Sequence, residues 1–290
     1  MTLFHEWPLV LFTLTVQLAV GLFLALLTTK SLLRAGHPAG RTLGPGPFLL
    51  VGVLMAAALA VSILHLGAPM SAVFSLSNLE ESWLSREILV ALLFLGLWGL
   101  GWSVGRRPGT APWVARALAW STAMAGIGLI WVMAKIYMVP ARPLWDHWLT
   151  GAGFFLTTLL LGGAAGAAYL ERPSVLGART PEATFLARPT LLAVGLAAAL
   201  AQIGTTLTHP LTAEAMAAPG GASLAGFRLI LLLAGASLLV IPLARLSFSG
   251  GQTSRVGPQK RWAAGAFLLL GASEIVGRML FYAVGPVIHF

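Results

Sequence analysis

Six ionisable residues stand in apolar surroundings: His65, Glu87, Lys135, His209, and Glu274 with Arg278 four positions on. His65 lies in Ile63-Leu64-His65-Leu66-Gly67-Ala68-Pro69 and Glu87 in Trp83-Leu84-Ser85-Arg86-Glu87-Ile88. An imidazole close to a carboxylate accepts and passes protons near neutral pH. A charge at mid-bilayer costs roughly 2.5–3.5 kcal/mol on insertion scales, so such residues are candidates for function. The substrate that suits them in a lipid-accessible pocket is a lipid-soluble carrier of protons and electrons, a quinol. His65 and Glu87 are expected to orient the ring hydroxyls and accept their protons. Trp83, Trp131, Tyr137, Phe281 and Tyr282 are expected to wall an aromatic slot, although Trp and Tyr gather at membrane interfaces for other reasons.

Each residue also has a plainer role. Glu87 serves as a first-turn acid at a helix N-terminus, with Ser85 as the cap. His65 and His209 sit at helix ends as interfacial residues. Glu274 and Arg278 share a helix face and can pair, and a buried pair is weak evidence of anything more. Lys135 snorkels outward along its stem. Accidents of this kind should scatter over both leaflets, whereas all six groups are expected in one.

The elements that must hold these residues follow from composition. Of 290 residues 58% are hydrophobic and 9% charged, with 33 glycines on top; a soluble surface needs about 25% charged residues. An ordinary soluble enzyme is excluded. A helix needs about 20 apolar residues to cross the hydrocarbon core, and eight segments meet this, at about 8–29, 47–67, 87–105, 115–139, 149–170, 189–209, 224–245 and 262–285. The expected fold is an all-α integral membrane protein of eight transmembrane helices, a single domain over 1–290, arranged as two four-helix bundles. The apolar runs lack the alternation of barrel strands.

Orientation follows from Lys and Arg. Lys30, Arg34 and Arg41, then Arg106, Arg107 and Arg116, fall on one side of the spans, together with Arg172, Arg179, Arg188, Arg245, Arg255, Lys260 and Arg261: 13 of 18 basic residues. Arg86, Lys135, Arg142, Arg228 and Arg278 fall toward the other. The excess marks the cytoplasmic side and places both termini outside. The N-terminus carries no signal-peptide pattern.

With no cysteine, thiolate-bound metals and clusters are excluded, and a haem would need histidine or methionine. No span has a mid-membrane histidine; His65 with His209 is the one pair to consider, and neither a haem nor a metal site is expected. Gly126, Gly128, Gly162, Gly163 and Gly166 are read as helix-packing positions. Pro140, Pro210 and Pro286 stop helices.

Several motifs, in order along nearly the whole sequence, give a resemblance. His5-Glu6-Trp7-Pro8-Leu9, His65-Leu66-Gly67-x-Pro69-Met70, Leu84-Ser85-x-Glu87-Ile88, Trp131–Tyr137, Gly153-Phe154-Phe155-Leu156-Thr157 and Glu274-Ile275-Val276-Gly277-Arg278-x-x-Phe281-Tyr282 resemble the membrane anchor subunit of the bacterial dimethyl sulfoxide reductase family. The resemblance implies an anchor in the bacterial inner membrane that oxidises menaquinol without haem in anaerobic respiration. It implies two partners, an iron–sulfur electron-transfer subunit and a molybdopterin catalytic subunit. It implicates His65 and Glu87 in quinol binding. Ser85, Lys135, Tyr137, Glu274 and Arg278 complete the expected pocket, with Lys135 or Arg278 facing negative charge that builds on the ring. Arg86 departs from the pattern, where an uncharged or amide residue is expected.

The alternatives are a polysulfide-reductase-type quinone-reactive anchor, a structural anchor without quinol, and a secondary transporter. Transporter sites lie near the midplane at broken helices; here the charges lie toward one face.

Overall fold

The computed structural model describes residues 7–36, 43, 45–65, 78–171, 181–248 and 261–283, with the backbone alone at 34–36, 63–65, 181–186 and 245–248. The helices are α1 (Trp7–Gly36), α2 (Gly46–His65), α3 (Trp83–Val104), α4 (Pro112–Tyr137), α5 (Trp148–Leu170), α6 (Pro181–Thr208), α7 (Pro210–Ala217), α8 (Gly221–Phe248) and α9 (Trp262–Ala283). No strand occurs among the described residues.

Seven of these helices are long and apolar enough to cross a bilayer, and the apolar part of α2, Gly46–Ser62, is shorter. The expectation of a span at 47–67 thus falls partly on residues 66 and 67, outside the described residues. α6 begins eight positions before the expected 189 and runs through Pro189. Its first turns are polar, so hydropathy misses them. α7 replaces an expected loop. Pro210 cannot continue α6 because it has no N–H, yet its fixed φ suits a first helical position. His209 caps the new helix, its Nδ1 accepting from Leu211 N–H at 3.1 Å. Pro286 lies outside the described residues.

α1 to α4 pack among themselves, as do α5, α6, α8 and α9, and α1 against α5 is the principal seam. Lipid supplies no hydrophobic drive between helices, so close backbone approach must hold them. A Cβ on Gly162 would run into the Gly21 carbonyl, so the two backbones touch. Gly163 meets α6 the same way, with Gly195 N and Leu191 O each 2.9 Å from the position of a Cβ. A Cβ on Gly126 would lie 2.9 Å from Val20, whereas one on Gly128 would meet only Val90, at 4.0 Å. The lipid-facing surface is apolar, with Trp113, Trp120, Met124, Ile230 and Leu268 more than half exposed.

At the Gly36 end, Glu171 fastens three elements. It accepts from Arg188 Nη2 at 2.8 Å and from the first-turn amides Ala263 N–H (3.0 Å) and Ala264 N–H (3.4 Å) of α9. A carboxylate at a helix N-terminus satisfies orphan donors and complements the helix dipole.

Candidate functional site

The buried polar side chains of interest gather at the opposite end, marked by Trp7. Ser82 caps α3, its Oγ accepting from Ser85 N–H at 3.2 Å. The expectation that Ser85 is the cap is therefore corrected: the helix starts at Trp83, because Trp and Leu extend the apolar run toward the interface. Glu87 becomes the fifth helical residue, past the first turn, and is 5% exposed. Its reading as a first-turn acid goes with the corrected cap. Arg86 points elsewhere: Nε donates to Leu79 O at 2.8 Å, Nη2 donates to Glu80 O, and the guanidinium lies 4.3 Å from the Trp83 ring. Ser85 is buried. The side chain of His65, at the end of α2, lies outside the described residues.

Tyr137 ends α4, buried, with its hydroxyl 2.7 Å from that of Tyr282 on α9. Both tyrosines lie within electrostatic reach of Glu87 and Arg278. The Tyr137 ring packs on Phe281 (5.2 Å), Trp145 (5.5 Å) and Phe154 (5.6 Å), and Trp145 stacks on Phe281 at 5.1 Å. These rings pack on one another as a cluster whose membership differs from that of the expected slot. Trp131 is 46% exposed and carries Lys135 at 4.9 Å from its ring, so Lys135 stands apart from the buried cluster. Trp83 carries Arg86. The sequence does not mark Trp145, and it gives Phe154 only as part of the Gly153–Thr157 motif, with no place in the aromatic cluster. Trp145 sits in a short connection, where tryptophan reads as an interface anchor.

Behind the aromatics lies a second group. The Glu274 carboxylate accepts from Thr157 Oγ1 and, at 3.3 Å, from Gln202 Nε2, while Arg228 Nη2 stands 3.6 Å from its other oxygen. That oxygen, Oε1, and Arg228 Nε have no hydrogen-bond partner. Gly277 makes room for the guanidinium: a Cβ there would lie 2.5 Å from Arg228 Nε. Arg278 donates to Gln17 Oε1 at 2.9 Å and lies 4.0 Å from the Phe154 ring; Gln17 in turn donates to Phe154 O at 2.8 Å. The expected Glu274–Arg278 pairing is corrected. Four helical residues turn about 40° past a full circle, so Glu274 reaches α8 and Arg278 reaches α1. The sequence does not single out Gln17 and Gln202, and it gives Thr157 only within the Gly153–Thr157 motif. Mid-span amides were the available signal, and Arg228 was absorbed into the topology count.

His147 and His209 flank this group, their rings 5.4 Å apart. Each caps a helix through Nδ1, His147 accepting from Leu149 N–H at 3.2 Å. With Nδ1 accepting, the hydrogen sits on Nε2, and that of His209 faces Thr150 Oγ1 at 3.3 Å. Burial, the neighbouring His147 and the Arg228 charge push His209 down to about 4, so it is neutral. In this arrangement His209 offers a ligand no free nitrogen lone pair, and among the described residues no three acidic or histidine groups are placed to hold a metal ion.

The sequence profile of the DMSO reductase anchor subunit (DmsC) family matches residues 1–284. This protein belongs to the DMSO reductase anchor subunit family. It is 31% identical to the anaerobic dimethyl sulfoxide reductase subunit YnfH of Escherichia coli strain K12, over 97% of its own sequence and 95% of that one. It is 30% identical to the C subunit of the anaerobic dimethyl sulfoxide reductase of the same organism, with the same coverage. The corresponding C subunit from Haemophilus influenzae is 34% identical over 54% of this sequence and 56% of its own length. Like the family, this anchor subunit is a multi-pass membrane protein, and an anchor is one part of a larger DMSO reductase complex with catalytic and electron-transfer subunits. The resemblance seen in the ordered motifs is the family itself.

Proposed function

We propose that this anchor oxidises menaquinol in the bacterial inner membrane and passes the electrons to an iron–sulfur subunit, which feeds a molybdopterin catalytic subunit in anaerobic respiration. In this reading the polypeptide crosses the membrane eight times with both termini outside, as the basic-residue asymmetry requires. The Trp7 end then faces the extracytoplasmic side.

One observation carries the reading: a buried carboxylate, Glu87, within reach of a hydrogen-bonded tyrosine pair, at the end of α3. A buried carboxylate accepts a proton from a ring hydroxyl without competition from bulk water. Tyr137 and Tyr282 orient the same hydroxyl, and Phe281 with Trp145 offers a flat apolar wall. His65 supplies the second proton acceptor at the end of α2. Arg278 opposes negative charge developing on the ring. The connection 140–148 and the segment before α3 form the seat for the iron–sulfur subunit. Electrons and protons then leave on the same side, so turnover moves no net charge across the membrane. Glu87, Arg278 and His209 lie toward one end of their helices, which favours this role over transport.

The test uses the complex purified with its partner subunits. Molybdenum and iron–sulfur signals are expected to co-purify, and a fluorescent quinol analogue to titrate saturably. Glu87→Gln and His65→Arg are expected to leave assembly intact and to slow quinol-driven cluster reduction by about 10²-fold or more. Wild-type rates in both variants overturn the assignment.

A further inference from the structure

Among the described residues, the ionisable side chains inside the Trp7 half include Glu87, Glu274, Arg228 and Arg278. A proton received by Glu87 in this water-poor region needs a path to the surface before the next turnover. The structure shows a way out. A crevice of about 70 Å³ has Glu274, Arg228 and Gln202 among its lining and reaches Thr205, Thr212 and His209. That volume holds a few water molecules, and its polar lining gives them partners. Glu274 Oε1 has no hydrogen-bond donor from the protein.

The aromatic cluster and the crevice share a wall. Phe154 and Phe281 pack on Tyr137 and also line the crevice, and Arg278 with its partner Gln17 stands at that wall. Tyr282 shares α9 with Arg278 and Glu274, and the three follow one another at single-turn spacing.

We propose that this crevice is the proton exit of the quinol site, with Glu274 as the carboxylate that collects the proton and water in the crevice as its carrier past His209 to the surface. The inference rests on the quinol reading above. Each quinol that is oxidised breaks two O–H bonds; two electrons go to the iron–sulfur partner and two protons to protein carboxylates, then to water. Arg228 from α8 stands 3.6 Å from Glu274, Arg278 of its own helix and His209 line the same crevice, and α5 and α6 present the neutral Thr157 and Gln202. In this proposal Glu274, counted from the sequence in the expected pocket, acts as a relay residue behind the aromatic cluster.

The experiment compares the whole complex with its Glu274→Gln, Glu274→Asp and Gln202→Leu variants. Readouts are quinol-analogue affinity, the rate of quinol-driven cluster reduction, its solvent deuterium isotope effect, and proton release to an indicator dye. Glu274→Gln is expected to leave affinity within twofold, to slow cluster reduction and proton release together by at least tenfold, and to raise the isotope effect. Glu274→Asp restores part of the rate. Gln202→Leu, which keeps the carboxylate and dries its surroundings, gives a smaller slowing of the same kind. Wild-type rates and isotope effect in both Glu274→Gln and Gln202→Leu overturn the relay. If Glu87→Gln slows reduction while those two do not, the quinol reading stands and the exit falls. If the wild-type complex neither binds the analogue nor accepts electrons from quinol, the quinol reading itself falls and takes the exit with it.

Discussion

The hydroxyls of Tyr137 and Tyr282 meet at 2.7 Å across 145 residues of sequence, tying the end of α4 in the first half of the protein to α9 in the second. The contact gives two buried phenols a common partner and holds them within electrostatic range of Glu87. Tyr137→Phe keeps the ring in its aromatic cage and removes one hydrogen bond, a loss of about 1 kcal/mol. The expected outcome is a small fall in melting temperature with a much larger fall in quinol-driven cluster reduction. A double-mutant cycle with Tyr282→Phe should show coupling; strictly additive effects on the rate would remove the pair from the mechanism.

The α1–α5 seam makes a different kind of prediction. A Cβ on Gly162 has no space, whereas Gly153 of the same helix has nothing within 4 Å of a Cβ. Gly162→Ala should destabilise by about 1–3 kcal/mol through overpacking and lower the yield of folded protein in detergent. Gly153→Ala should be silent. Equal melting temperatures for the two variants would contradict the seam.

Glu171 holds Arg188 and two α9 amides at once. Glu171→Gln leaves a buried guanidinium unpaired, a loss of about 3–5 kcal/mol. Replacing both partners, Glu171→Leu with Arg188→Leu, should recover part of it, because the stranded charge goes too. Chemical denaturation in mild detergent measures both, and a double variant worse than the single one would refute the account.

His209 gives a pH dependence. Its ordinary value of 6.5 falls to about 4 in the fold, so the unfolded state takes the proton first. The stabilising contribution is complete above about pH 6.5 and is lost as pH falls toward 4. Thermal stability should therefore decline between those limits. His209→Asn, which keeps a capping oxygen, should flatten that slope; an unchanged slope would assign it to other groups.

Much of this was legible without coordinates. Hydropathy located the long helices, since twenty apolar residues admit few other fates, and the small-residue positions Gly162, Gly163 and Gly166 read correctly as packing sites. The crowding of Glu87, Glu274, Arg278 and His209 at one end also followed from their places along antiparallel spans. Who touches whom did not follow. Glu274 and Arg278 looked like partners from their spacing, yet each turns to a different neighbouring helix.

The sequence by itself determined that this protein lives in a membrane as a bundle of helices, with its acid–base groups at one end and its basic loops at the other. That much depends on hydrophobicity and charge counted residue by residue. The tertiary structure alone decided that Arg228 answers Glu274, that Gln17 answers Arg278, that Trp145 and Phe154 complete the aromatic cluster, and that His147 sits against His209. Those choices depend on the rotation of each helix about its axis, and that rotation is set by backbone contacts such as Gly21 against Gly162, between residues far apart in the sequence.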